Sequence, residues 1–298
     1  MHKLDTLFDQ LNAIILGKPE VTKLAVVCVL ARGHLLLEDI PGVGKTTLSH
    51  ALAALLGMPY KRVQFTSDLL PTDIIGMTIF DTESKKFHFK KGPLFTSILL
   101  ADEINRATPK TQSALLQAME EQHVSVEGKL LPLSNPFFVV ATQNPLEQSG
   151  TFPLPESQLD RFLMRLSLGY PSEDFERQLL LGDNIKTDIK PIFEASEVAA
   201  MVESVKDVHA SEAVVQYLQT LLARTRTSGM FVNGLSPRAG LQWLQAAKAL
   251  AFVEGRDSVL PDDIKSLAAV TAAHRLHCND GSDSADALRQ IVDNVEVL

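Results

Sequence analysis

The sequence is poor in cysteine and in long apolar runs. Only two cysteines, Cys28 and Cys278, occur in 298 residues, which does not indicate a disulfide framework and favours a reducing compartment. No run approaches the ~18 apolar residues that a membrane span needs, and the first residues lack the basic and apolar regions of a signal peptide. We therefore expect a cytoplasmic protein without a membrane span.

Positive charge is also scarce, because the formal net charge is -8. This balance argues against a protein whose main role is to coat nucleic acid, since such binding comes from clustered Lys and Arg. With 45% hydrophobic and 21% charged residues, the composition is that of an ordinary globular chain. Its length allows one large domain or two ordinary ones.

Short apolar runs alternate with helical periodicity in the first part of the chain. They cover residues 35–37, 63–65, 98–101, 137–141 and 163–168. This alternation predicts a five-stranded parallel sheet covered by helices, and two further segments, 77–90 and 123–133, are typical of β-hairpins. Only helical periodicity remains later in the chain. We expect an α/β domain over residues 1–172 and an all-helical domain over residues 173–298.

The clearest chemical motif is Pro41-Gly42-Val43-Gly44-Lys45-Thr46-Thr47, which follows a predicted strand and precedes a helical segment. Glycines let backbone N–H groups approach phosphate oxygens, and a helix N-terminus adds partial positive charge. Lys45 would bridge the β- and γ-phosphates, and Thr46 would bind Mg²⁺. Asp39 stands where a phosphate loop usually has glycine. The alternative is a glycine-rich turn without a ligand.

Two other predicted strands end in polar side chains that suit nucleotide hydrolysis. Asp102 is expected in the Mg²⁺ shell, and Glu103 is expected to polarise the attacking water as general base. Asn144, after another strand, could orient that water. An acidic helix cap and an Asn-Pro turn are the alternatives. Because no Asn-Lys-x-Asp guanine motif occurs, ATP is the expected nucleotide.

In their order these motifs resemble the MoxR family of AAA+ ATPases over about residues 11–276. The matching segments are 17–18, 38–46, 102–107, 142–145, 159–162 and 236–239. The resemblance implies an AAA+ P-loop domain, with a five-stranded parallel sheet and inserted hairpins, followed by a small helical lid. It implies that aspartate at position 39 agrees with the family's own phosphate loop, and that Gly17 lies near the adenine.

The resemblance also implies roles for two arginines. Arg161 resembles the arginine finger that reaches the γ-phosphate of a neighbouring subunit, with Arg165 as a second candidate. Arg238 resembles the second sensor, which would report the phosphate state to the lid. Without the resemblance, Arg161 could instead pair with Asp160 or Glu156, and Arg238 could extend into solvent.

By resemblance, the chain would form a homo-oligomeric ring, a hexamer, that hydrolyses ATP in a Mg²⁺-dependent reaction. This hydrolysis would drive chaperone-like remodelling or activation of a partner protein, for example by cofactor or metal insertion. The expected partners are a von Willebrand factor A domain protein and a client, and the hairpins would line the pore. The alternative is a nucleic-acid-stimulated AAA+ motor, which Lys90 and Lys91 beside a hairpin leave open. A slowly hydrolysing binding switch is a third possibility.

Overall fold

The computed structural model describes residues 2–145, 150–181 and 189–296. Within these residues the strands are β1 (Leu35–Glu38), β2 (Tyr60–Gln64), β3 (Gly76–Asp81), β4 (Lys86–Lys91), β5 (Ile98–Asp102), β6 (His123–Val126), β7 (Lys129–Pro132), β8 (Phe138–Gln143) and β9 (Met164–Leu166). The α-helices are α1 (His2–Ile14), α2 (Pro19–Leu30), α3 (Lys45–Leu55), α4 (Pro71–Ile75), α5 (Pro109–Glu121), α6 (Glu156–Leu159), α7 (Glu173–Leu180), α8 (Ala195–Lys206), α9 (Glu212–Thr227), α10 (Pro237–Val253), α11 (Pro261–Ala272) and α12 (Ser284–Asn294). Two 3-10 turns cover Ile104–Arg106 and Ala273–Arg275.

Five strands form one parallel sheet in the order β2-β5-β8-β1-β9, which confirms the predicted α/β fold. The last strand is shorter than its apolar run, because only Met164–Leu166 pairs with β1. Beyond it, the backbone N–H of Gly169 donates to the Asp39 carboxylate at 2.7 Å instead of continuing a ladder. A side-chain acceptor therefore replaces the strand partner at this edge.

The sheet separates two hydrophobic cores, because consecutive strand residues point to opposite faces. Leu35 and Leu37 of β1 belong to the larger core, which also receives side chains from α1, α2, α3 and the C-terminal helices. Leu36, between them, belongs to the smaller core under α5. All three side chains are fully buried. Burial on both faces explains why this strand is a continuous apolar run rather than an alternating one.

Both predicted hairpins are present. Strands β3 and β4 pair antiparallel, with Met77 opposite Lys90, and β6 pairs with β7. The tight turn of the second hairpin consists of Glu127 and Gly128, and both have positive φ angles, 50° and 77°. Such angles match the twist of paired strands.

The C-terminal part of the described chain is helical, and it docks onto the sheet domain. Helix α10 packs against α2 and α8, and α11 packs against β9. The Ser236 hydroxyl caps α10 by accepting from the Ala239 N–H at 3.0 Å, and the Ser236 hydroxyl also lies 3.4 Å from both Asp160 oxygens. The start of α10 is thereby held beside the segment that carries Arg161. Among the described helices, none combines the length and apolarity that a membrane span requires.

Candidate functional site

Most of the predicted site residues meet at the carboxyl ends of three adjacent strands. Strands β5, β8 and β1 are neighbours in the sheet, and their registers bring Glu38 opposite Gln143. The phosphate loop follows β1, Asp102 ends β5, and Asn144 follows β8. This edge of a parallel sheet is where ligands of open α/β folds bind.

The loop between β1 and α3 has the conformation that a phosphate cradle needs. Gly42 and Gly44 have φ angles of 85° and 97°, and a Cβ atom at either residue would meet nothing within 4 Å. The loop therefore uses glycine for its backbone angles. Lys45 Nζ donates to the Asp39 carbonyl at 2.6 Å. Burial lowers the pKa of Lys45, although nearby carboxylates oppose that shift.

Asp39 supports the loop through its side chain. The φ angle of Asp39 is not positive, so its backbone does not adopt the left-handed conformation that would favour glycine at this position. Its carboxylate accepts hydrogen bonds from the Ile40 N–H, the Ser167 hydroxyl and the Gly169 N–H, at 3.0, 2.9 and 2.7 Å. Burial disfavours the charged carboxylate, but these bonds outweigh it and lower the pKa of Asp39. Asp39 thus ties the loop to the chain after β9.

A cavity of about 360 Å³ brings most of the predicted residues together. Its lining consists of Pro41, Gly42, Gly44, Lys45, Thr46, Thr47, Arg62, Asp102, Glu103, Thr142 and Asn144. Val43 is absent from the lining because its side chain packs against the larger core. The loop, both carboxylates and the amide therefore face one space.

Both oxygens of Asp102 are hydrogen-bonded. Arg62 Nε and Nη2 donate to Oδ2 at 3.1 and 2.6 Å, and the Thr142 hydroxyl donates to Oδ1 at 2.6 Å. The Asp102 side chain is only 11% exposed, so these partners stabilise its charge where water is scarce. Arg62 carries its positive charge directly into the cavity.

Glu103 is held in an unusual backbone conformation. Its φ and ψ angles are 55° and 50°, a left-handed region that residues with side chains adopt at a cost of order 1 kcal/mol or more. The Glu103 N–H donates to the Thr142 hydroxyl at 2.9 Å. Its Oε2 accepts from Gln64 Nε2 at 2.7 Å and from Arg106 Nη1 at 3.0 Å. Two neighbours thus direct the carboxylate, and a third holds the main chain.

The donor set suits a small divalent cation. The Thr46 hydroxyl and the Asp102 carboxylate line the same cavity, and hard oxygen ligands are those that Mg²⁺ prefers. The described residues contain no cluster of three or more His, Cys, Asp or Glu that could form an all-protein metal cage. This fits Mg²⁺, which usually takes one or two protein ligands with phosphate and water completing the shell.

Gly17 lies outside this cavity, against the start of the helical part. Its φ angle is 72°, and an added Cβ would lie 2.5 Å from the ring of Phe175 in α7. Lys18 Nζ donates to the Tyr170 carbonyl at 2.8 Å. Glycine is therefore required at this position by both backbone and space, and its expected role near adenine stays a prediction.

Arg238, the expected second sensor, lies outside the cavity that contains Lys45, and its role stays a prediction. Arg238 and Arg161 line a second cavity of about 300 Å³, together with Arg32, Gly33, His34, Met119, Glu120, Gln122 and Gln242. Arg161 Nη2 lies 3.0 Å from Glu120 Oε2, and Arg238 Nη2 pairs with Glu120 Oε1. The reason is the docking of α10, whose capping serine contacts Asp160 next to Arg161.

Arg161 pairs with neither of the alternative partners considered for it. Asp160 pairs with the buried Arg275 at 3.1 Å, and Glu156 pairs with His277 at 3.2 Å. Arg165 lies within β9 and pairs with Glu38 at 2.9 Å. Arg161 therefore shares its carboxylate with Arg238, while Arg165 lies in the sheet.

Hydrogen bonds from Arg238 hold the pKa of Glu120 below its usual value, assisted by the charges of both arginines. The sequence analysis missed Glu120 together with Arg62, Gln64 and Thr142. Arg62 and Gln64 are two positions apart on β2, so they share a face beside β5, and that alternation was an available signal. Nothing local marks Glu120, because its partners come from distant segments.

Comparison with known proteins identifies the family of this chain. Residues 34–164 match the family described as "ATPase family associated with various cellular activities (AAA)", and residues 223–295 match the AAA lid domain. The chain is 42% identical over 298 residues to YeaC of Bacillus subtilis, covering 97% of this chain and 93% of that protein. It is 38% identical over 286 residues to the chaperone MoxR1 of Mycobacterium tuberculosis, covering 93% and 76%.

A crystal structure of a candidate ATPase from Cytophaga hutchinsonii matches with a TM-score of 0.92 and 34% identity, covering 100% of this chain and 95% of that chain. Fold, cavity and family matches together define an ATPase of the AAA+ class. Within that class, the chain belongs to the MoxR family.

Proposed function

We propose that this ATPase acts as a homo-oligomeric ring, a hexamer, in which Mg²⁺-dependent ATP hydrolysis drives remodelling of a partner protein. The observation that carries the proposal is the division of the site between two cavities. Lys45, Asp102 and Glu103 line one, whereas Arg161 and Arg238 line another. The first cavity also contains Arg62, but that arginine pairs with Asp102. A second copy would supply Arg161 and Arg238 to neutralise charge on the transferring phosphoryl group.

Within one chain, the roles follow from the contacts. Lys45 would move its ammonium from the Asp39 carbonyl to the β- and γ-phosphates, and the loop N–H groups would bind phosphate oxygens. Thr46 and Asp102 would hold Mg²⁺, which supplies charge neutralisation for the phosphates when bound. Glu103 would accept the proton of the attacking water, and Asn144 would orient that water.

Glu103 must be released before it can act in this way. Its Oε2 accepts hydrogen bonds from Gln64 and Arg106, and these donors occupy an oxygen that would have to take the proton. The general-base role therefore includes a change at these two partners when ATP binds. The backbone hydrogen bond to Thr142 would keep the main chain of Glu103 in place during that change.

The proposed client is a protein, because the hairpins expose apolar side chains. Phe80 and Phe87 of the first hairpin are 52% and 73% exposed, and Leu130 of the second is 65% exposed. Exposed apolar groups of this size suit the apolar segments of a client. A von Willebrand factor A domain partner, and cofactor or metal insertion as the outcome, remain proposals that rest on the family resemblance. The name of the chaperone MoxR1 supports the chaperone-like part.

A nucleic-acid-stimulated motor is the second candidate, and one observation favours it. Strand β4 carries Lys86, Lys90 and Lys91 together with aromatic residues, a mixture that can contact a single strand through charge and stacking. The net charge of -8 opposes that role. The domain division at residue 172 and the cytoplasmic location likewise stay predictions.

The test is ATP turnover and particle mass of the purified chain. Lys45→Ala should lose ATP binding, whereas Glu103→Gln should bind ATP without hydrolysing it and accumulate as a ring by light scattering with Mg²⁺ and ATP. Glu20→Gln, an exposed change on α2, is the matched control. A Glu103→Gln chain that stays monomeric at every concentration contradicts the ring.

The client is tested separately, with an unfolded protein such as casein and with single-stranded DNA. Stimulation of turnover by casein, lost in Phe87→Ser, supports a protein client. Stimulation by DNA alone supports the motor instead.

A further inference from the structure

The last turn of α5 holds an acidic residue in an electrostatically unfavourable position. The carboxyl end of a helix carries partial negative charge and disfavours another anion there, yet Glu120 lies in that turn, which contains no basic residue. What stabilises the charge comes from elsewhere in the chain. Arg161 follows α6 and Arg238 lies in the first turn of α10, and each donates to one oxygen of Glu120.

Arg161 is not fully satisfied by this carboxylate. Each of its two oxygens serves one guanidinium, and the Nε of Arg161 is buried without an acceptor among the described residues. A phosphate group offers three terminal oxygens in place of two, so it could serve both guanidiniums and the remaining donor. The adjoining cavity of about 300 Å³, which Arg32 also lines, has room for such a group.

The main chain beside Arg161 is anchored independently of Glu120. Arg275 Nη1 donates to Asp160 at 3.1 Å and Nη2 donates to the Phe162 carbonyl at 2.7 Å. Glu120, by contrast, is 36% exposed at its side chain, so the carboxylate can turn into water while the residues around Arg161 keep their positions.

We propose that Glu120 is a carboxylate latch, which occupies the place of a neighbouring subunit's terminal phosphate between Arg161 and Arg238 and is displaced when two subunits engage. The inference rests on the proposed function, in which these arginines complete a neighbour's site. Glu120 is a positioning residue: in the isolated chain it holds Arg161 and Arg238 in place, and its carboxylate occupies the site where the phosphate would bind. Engagement then requires that ATP, with its greater charge, replaces the carboxylate.

The test compares ATP turnover against chain concentration for the wild type, Glu120→Gln and the control Glu121→Gln. Glu121 is the next residue and pairs with His123, so the control removes the same charge without touching either arginine. In Glu120→Gln two partly exposed ion pairs no longer have to be broken before subunits engage. The latch therefore predicts that this variant reaches half-maximal specific activity at a chain concentration roughly two- to thirtyfold lower than the wild type. The control should follow the wild-type curve.

A purely structural ion pair gives a different result, since its loss would lower stability and leave the half-activation concentration unchanged or raised. Either of those outcomes overturns the latch, as does a control that shifts like Glu120→Gln. If Arg161→Ala keeps wild-type turnover, both the latch and the trans-acting arginine are rejected. If Arg161→Ala is inactive and Glu120→Gln leaves the half-activation concentration unchanged, only the latch is rejected.

Discussion

Replacing Thr142 by valine should damage both stability and turnover, because one buried hydroxyl connects the two acidic residues. The hydroxyl donates to Asp102 at 2.6 Å and accepts from the Glu103 N–H at 2.9 Å, and the residue is fully buried. A hydrogen bond to a charged group contributes about 1.5–3 kcal/mol, and a neutral one about 0.5–1.5 kcal/mol. Valine keeps the volume and removes both bonds, so we expect a loss of about 2–4 kcal/mol in unfolding free energy.

Serine at the same position is the matched control. It keeps the hydroxyl and removes a buried methyl group, which should cost about 1 kcal/mol. Urea unfolding without nucleotide measures both variants. Turnover should fall about tenfold or more in Thr142→Val, the effect of about 1.4 kcal/mol on the barrier, because the Glu103 backbone loses its anchor. Valine and serine variants within about 0.5 kcal/mol of each other, or wild-type turnover in the valine variant, would refute this reasoning.

Three further predictions concern charged groups. Arg62→Ala should lower the unfolding free energy of the nucleotide-free chain by about 1–2 kcal/mol, because the nearly buried Asp102 carboxylate loses its half-exposed guanidinium partner. Mg²⁺ with ADP should recover more stability in this variant than in the wild type, and Lys61→Ala on the same strand should change little. Burial lowers the pKa of His34 to about 4, so the unfolded chain binds a proton at this histidine at a higher pH than the folded chain does. The unfolding free energy should therefore fall by about 3 kcal/mol as the pH drops from about 6.5 to 4. In His34→Asn, the unfolding free energy measured with urea should depend less steeply on pH, and equal slopes in the two proteins would contradict this prediction. Arg275→Lys should lose about 2–4 kcal/mol because an ammonium cannot reproduce the fork that bonds Asp160 and a carbonyl, and a change below about 0.5 kcal/mol would exclude that anchor.

The parts of this molecule that could be predicted are those that local sequence specifies. The strands around Leu36 are apolar on both faces, which marks them as buried, and turn residues such as Gly128 mark the hairpins. The phosphate loop and the acidic pair lie at strand ends, and parallel strands bring their carboxyl ends to one edge. The meeting of Lys45 with Asp102 in one cavity follows from that rule.

The parts that could not be predicted depend on how distant segments pack. Arg238 lies in a helix start that sequence identifies correctly, but its direction is set by the contact of Ser236 with Asp160. No pattern in the sequence connects Glu120 to either of its arginines, since the residues are separated by 41 and 118 positions. The role of Asp39 was likewise invisible, because two of its three hydrogen-bond donors, Ser167 and Gly169, follow β9.

The central claim is that one active site contains residues of two chains, and mixing two inactive variants tests it most directly. Lys45→Ala keeps its arginines, and Arg161→Ala keeps its nucleotide cavity. If neighbours share sites, an equal mixture should recover about one quarter of the wild-type turnover, because half of the subunits can bind ATP and half of their neighbours can supply an arginine in a closed ring. No recovery from two folded variants, or full turnover by Arg161→Ala alone, would contradict the account.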